Sequence, residues 1–65
     1  MYHTFNVWVD MLGKEGEAAE AQRVIDIMIQ RGIRPDEVTY NSLMDGYCLR
    51  GEIDEARKVF DMIRN

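Results

Sequence analysis

The sequence predicts an all-α fold, an α-solenoid segment of four helices paired as two helix-turn-helix hairpins. Three observations carry that prediction. The chain matches itself at an offset of 35 residues without a gap. Thr4/Thr39, Asn6/Asn41, Asp10/Asp45, Gly16/Gly51, Glu17/Glu52, Glu20/Glu55, Ala21/Ala56, Val24/Val59 and Asp26/Asp61 are identical, and Phe5/Tyr40 and Arg23/Lys58 are conservative. A period between about 20 and 50 residues marks a stacked repeat. Within each period two stretches carry apolar residues at helical spacing, and glycine or proline separates the stretches.

From Thr4 to about Gly13, Phe5, Trp8, Val9 and Leu12 fall at i, i+3, i+4 and i+7, one face of a helix. Lys14-Glu15-Gly16 reads as a turn, with Gly16 free to take a left-handed conformation. Ala21, Val24, Ile25 and Met28 repeat the helical spacing, with Glu17 and Glu20 suited to the positive end of the helix dipole. Gly32 stops that helix and Pro35 marks the boundary, because the residue before proline avoids helical geometry. Asp36 is placed to cap the third helix, whose face is Tyr40, Leu43, Met44 and Tyr47. Gly51 repeats the break, and Ala56, Val59, Phe60 and Ile63 form the fourth face. Ala21 and Ala56 are small where the helices of a hairpin must approach. Trp8 is expected in the core, and Met11, Met28, Met44 and Met62 are expected as core or inter-repeat filler.

Sixty-five residues make one small domain at most, and a domain of that size buries a small share of its surface. Cys48 is the single cysteine, so neither an internal disulfide nor a multi-cysteine zinc site forms within one chain. Eight basic against 12 acidic side chains give a net charge of -4, with no basic block for phosphates or anionic membrane surfaces. No apolar run approaches a membrane span, and no leader of secretory or transit type is expected in this piece. The second unit stops short of a counterpart to Arg31–Asp36, so the chain reads as a fragment of a longer array. Such a piece is expected to be marginal alone, or to self-associate through its exposed repeat ends.

The stretch Val38-Thr39-Tyr40-Asn41-Ser42-Leu43-Met44-Asp45-Gly46-Tyr47-Cys48, then Gly51-Glu52-Ile53-Asp54-Glu55-Ala56 and Lys58-Val59-Phe60, closely resembles the pentatricopeptide repeat. Met28 to Asp36 is similar to the family's repeat ending. The resemblance covers nearly the whole chain, and the plain period looks like the P-class, including its fertility-restorer-like branch. The tetratricopeptide repeat is the rival, but Val9-Asp10-Met11 after Trp8 does not follow its pattern. The resemblance divides the chain into a first repeat at 2–36 and a second at 37–65, and implies a right-handed superhelix.

It also implies a function, the binding of single-stranded RNA at about one base per repeat. The base selectors are then Asn6 and Asn41, with Asp36 as the closing selector of the first repeat. An Asn with a closing Asp is the family combination for uridine, and Asn alone points to a pyrimidine. An amide carries donors and an acceptor, so it can meet the mixed edge of a pyrimidine. The base-sandwiching position holds His3 and Val38; His3 departs from the usual aliphatic but can stack on a base. Lys14 matches a phosphate-contacting lysine, whereas Leu49 does not, leaving Arg50 as the neighbouring cation. The implied setting is a mitochondrion or chloroplast, in RNA processing, stability, editing or translation.

No catalytic constellation is expected, since His3 and Cys48 lie in different repeats with no third residue to orient either. No cofactor, metal or small-molecule substrate is expected. The alternative function is a helical-repeat scaffold for protein–protein interaction or self-association, which the acidic charge and Leu49 favour.

Overall fold

The computed structural model describes residues 2–64, with side chains from residue 3 onward. Four helices follow one another: α1 (Tyr2–Lys14), α2 (Ala18–Gln30), α3 (Glu37–Leu49) and α4 (Ile53–Arg64). No strand occurs among the described residues. The chain is thus the all-α solenoid segment that the period predicts.

The breaks are built alike. After α1, α2 and α3 the glycines Gly16, Gly32 and Gly51 take φ of 74°, 77° and 76°, the left-handed region that side chains resist. At each, the next residue's N–H reaches five residues back, Glu17 to Leu12 at 2.8 Å, Ile33 to Met28 at 2.8 Å and Glu52 to Tyr47 at 2.9 Å. The glycine's own N–H bonds to the carbonyl three residues back. This is the Schellman closure, which satisfies carbonyls the helix end leaves open. The start of α3 is closed as firmly. Asp36 is extended (φ -118°, ψ -171°), its Oδ1 accepts from the Thr39 N–H at 3.1 Å, and Thr39 Oγ1 accepts from the Asp36 N–H at 3.3 Å. Asp36→Ala is expected to lower the unfolding free energy by about 1 kcal/mol, read as a shift in the urea midpoint.

Helix α3 is the centre of the packing, touching α1, α2 and α4, while the backbones of α2 and α4 stay apart among the described residues. Helices α1 and α3 therefore form one layer, backed by α2 and α4. The core is Val9, Ala18, Ala21, Val24, Ile25, Met28, Leu43 and Val59, with Phe5, Leu12, Ile33, Tyr40, Met44, Tyr47 and Ile63 partly buried against it. Gly13 and Gly46 let α1 and α3 approach. A Cβ on Gly13 would collide with the Ser42 carbonyl oxygen, and one on Gly46 would lie 3.3 Å from Gly13 Cα.

Equivalent positions of the two units differ sharply in burial. Leu43 is 1% exposed, yet its counterpart Trp8 is 46% exposed; Ile25 is 0% exposed, yet Phe60 is 47% exposed. Among the described residues, only the faces where the two units meet are covered. This corrects the expectation for Trp8, which lies beside exposed Val7 and Met11 with its ring stacked on Phe5, centroids 6.4 Å apart. Phe60 likewise lies outside the core, with the Arg64 guanidinium 5.7 Å from its ring centre. Of the methionines, Met28 is core, Met44 is partly buried, and Met11 and Met62 are exposed.

Candidate nucleic-acid interface

Of the residues singled out by the sequence, Asn6 and Asp36 come together where the start of α3 meets the start of α1, whereas Lys14 lies at the far end of α1. Asp36 enters through its capping role, which fixes the first turn of α3 and buries Thr39 in the seam between the units. From there the Thr39 hydroxyl donates to Asn6 Oδ1 at 2.6 Å, across 33 positions of chain. Asn6 and Asp36 are therefore linked through one buried side chain. Thr39 is 1% exposed, Asn6 is half-buried and Asp36 is exposed. The sequence marked Thr39 only as part of the repeated Thr-aromatic pair. That repetition was the signal, and its partner across the seam could not be read from it.

His3 and Val38 are both exposed, as stacking on a ligand requires, and the Val38 carbonyl accepts from Ser42 Oγ at 3.3 Å. Asn41 is exposed, and its side chain makes no hydrogen bond among the described residues. The two Asn positions are thus equivalent in the repeat but not in their surroundings.

Cationic groups are sparse. Lys14 ends α1, and its Nζ pairs with Asp10 Oδ2 at 2.9 Å across one turn. Both partners are largely exposed, so the pair is weak and a phosphate can compete for the ammonium. Lys14 lines a shallow depression with Asp45, Cys48 and Leu49. Ser42 Oγ lies 3.3 Å from Asp10 Oδ1 as well as from the Val38 carbonyl, so its single proton bridges toward one or the other. Arg50 is taken up by Glu52, Nε to Oε2 at 2.8 Å. The hydrogen bond and charge of Glu52 hold the guanidinium above its ordinary pKa. Partial burial, then Glu55 and Glu52, raise the Tyr47 hydroxyl above its usual value, against a smaller pull from Lys58.

Among the described residues, no three His, Cys, Asp or Glu side chains group as a metal site. No described helix is long and apolar enough to cross a membrane.

Comparison with known proteins places these features in a family. Residues 31–64 match one family profile described as PPR repeat, and residues 3–33 match another of the same description. The chain is 39% identical over 54 residues to the small ribosomal subunit protein mL103 of Arabidopsis thaliana, covering 82% of this chain and 13% of the relative. It is 35% identical over 57 residues to a pentatricopeptide repeat-containing protein of Arabidopsis thaliana whose name carries the word mitochondrial, covering 88% of this chain and 13% of that one. A further pentatricopeptide repeat-containing protein of that plant is 43% identical over 53 residues, 82% of this chain and 9% of the relative. The chain therefore spans between 9% and 13% of the length of these relatives.

Proposed function

The chain belongs to the pentatricopeptide repeat family, and from that premise we propose that it reads single-stranded RNA, about one base per repeat, in an organelle. The observation that carries this reading is the meeting of Asn6 and Asp36 at the seam, joined through Thr39. Two side chains far apart in sequence then act on one base position. Asn6 with Asp36 selects uridine, and Asn41 selects a pyrimidine at the next position. His3 and Val38 flank the bases. Lys14 exchanges Asp10 for a phosphate. The division into repeats at 2–36 and 37–65 follows the same reading, with Asn65 outside the described residues. The unvarying period favours the P-class.

The mitochondrial relative supports the compartment, and the ribosomal relative supports an RNA setting. Processing, stability, editing and translation of transcripts are all roles such base reading serves. The contribution of this chain is recognition rather than chemistry.

Binding is expected to be weak, because the base contacts are few and Lys14 is the main phosphate partner. Anisotropy of a labelled oligo-uridine should report binding that fades as salt rises, and Asn6→Ala should abolish its preference over oligo-adenine. Binding of both oligomers alike, unchanged in Asn6→Ala, would overturn the reading.

The exposed Trp8, Val7 and Met11 at one end, and Leu49, Ile53 and Phe60 at the other, favour a second reading as an interaction scaffold. A second copy cannot reproduce the internal packing there. The place of Gly13 is taken by Cys48 and that of Gly46 by Met11, so the α1–α3 approach has no room for it. Association through these ends would need a wider spacing, and would hold or strengthen in salting-out conditions where RNA binding is lost.

A further inference from the structure

The buried Thr39 hydroxyl has one proton and two acceptors within reach, Asn6 Oδ1 at 2.6 Å and Asp36 Oδ1 at 3.0 Å. The choice between them decides how the Asn6 amide faces. If the proton went to Asp36, the Asn6 amide would have to turn and donate its NH2 to Thr39 Oγ1. A separation of 2.6 Å is short for N–H···O and ordinary for O–H···O. Asp36 Oδ1 already receives the Thr39 N–H at 3.1 Å, whereas Asn6 Oδ1 has no other donor among the described residues. The proton therefore goes to Asn6.

The opposite end of the amide is then fixed. Asn6 Nδ2 makes no hydrogen bond among the described residues, and no buried side-chain nitrogen or oxygen there is left unpartnered, so Nδ2 is open to solvent. A base meeting Asn6 meets two N–H donors.

We infer that Thr39 is a positioning residue for base selection: its hydroxyl pins the Asn6 carbonyl so that the amide NH2 faces the ligand, admitting a base edge with a carbonyl acceptor and rejecting one with an amino donor. The inference rests on the RNA-reading proposal and deepens it. Uracil presents a carbonyl at the place where cytosine presents an amino group, so the device separates uridine from cytidine, two bases of the same size. Thr39 belongs to the following repeat, so the specificity of one repeat is set in part by its successor.

The test has two arms on the 65-residue chain, using Thr39→Val and Thr39→Ser. In the free protein, nitrogen relaxation of the Asn6 side-chain amide should show a rigid NH2 in the parent and in Thr39→Ser, and a mobile one in Thr39→Val. Equal mobility in all three overturns the inference. In titrations with short oligo-uridine and oligo-cytidine, the parent and Thr39→Ser should prefer uridine at Asn6 by roughly tenfold, and Thr39→Val should lose that preference. A preference that survives in Thr39→Val also overturns it.

Thr39→Val removes part of the helix cap, so Asn6→Asp serves as a variant that keeps the cap. Its carboxylate still accepts from Thr39 but offers the ligand oxygen instead of NH2, and it should favour cytidine. Retained uridine preference in Asn6→Asp counts against the inference. If the parent binds neither RNA, the RNA-reading proposal fails while the relaxation arm still decides the role of Thr39.

Discussion

Gly13→Ala should cost the chain about 2 kcal/mol of stability, the reverse of what the substitution does on an open helix. In a helix interior, alanine is favoured over glycine by about 1 kcal/mol, because glycine loses more backbone entropy on folding. At Gly13 the added Cβ would collide with the Ser42 carbonyl oxygen, a backbone atom of α3 that cannot swing aside. Helices α1 and α3 must separate, and the contacts of Val9 and Leu43 loosen with them. Gly46→Ala supplies the contrast. Its Cβ would meet Gly13 Cα at 3.3 Å and Ala18 at 3.4 Å, so small shifts relieve it and the net change should stay within about 1 kcal/mol. Urea unfolding followed by circular dichroism distinguishes the two. A Gly13→Ala chain as stable as the parent would mean that the units do not pack this closely.

Ile25→Ala should cost about 3 kcal/mol, while Phe60→Ala at the equivalent position should cost no more than about 1 kcal/mol despite deleting a larger side chain. Ile25 is fully buried between α2 and the neighbouring unit, so its truncation leaves a cavity lined by core side chains. Phe60 lies on the uncovered face of α4, and its removal forfeits partial burial and the Arg64 contact. If stability came from each hairpin alone, the two substitutions would act alike. Their expected difference measures the stacking of one unit on the next. Thermal or urea melts of both variants against the parent provide the comparison.

These two predictions also mark the limit of what the sequence discloses. The helices and their ends were legible because their causes are local: apolar spacing, Gly16, Gly32 and Gly51 at left-handed turns, and Asp36 before α3. Periodicity also showed which positions of the repeat are apolar. It could not show which of them this chain covers, because Trp8 and Leu43 occupy the same position in the repeat and differ only in having a neighbour. The candidate site follows the same division. Asn6, Asp36 and Asn41 came from the family resemblance, and their side-chain surroundings did not. The Asn6–Thr39 hydrogen bond joins separate repeats, and nothing local in either segment encodes it. The occupation of Lys14 by Asp10 was visible as an i, i+4 pair, yet the resemblance drew attention to the lysine alone.

The most direct measurement is an amide-resolved NMR titration of the chain with short oligo-uridine and, separately, oligo-adenine. Base reading predicts selective shifts at Asn6, Asp36, Val38 and Asn41, larger with uridine. Equal shifts with both RNAs, or shifts confined to the uncovered faces around Trp8 and Phe60, would contradict it.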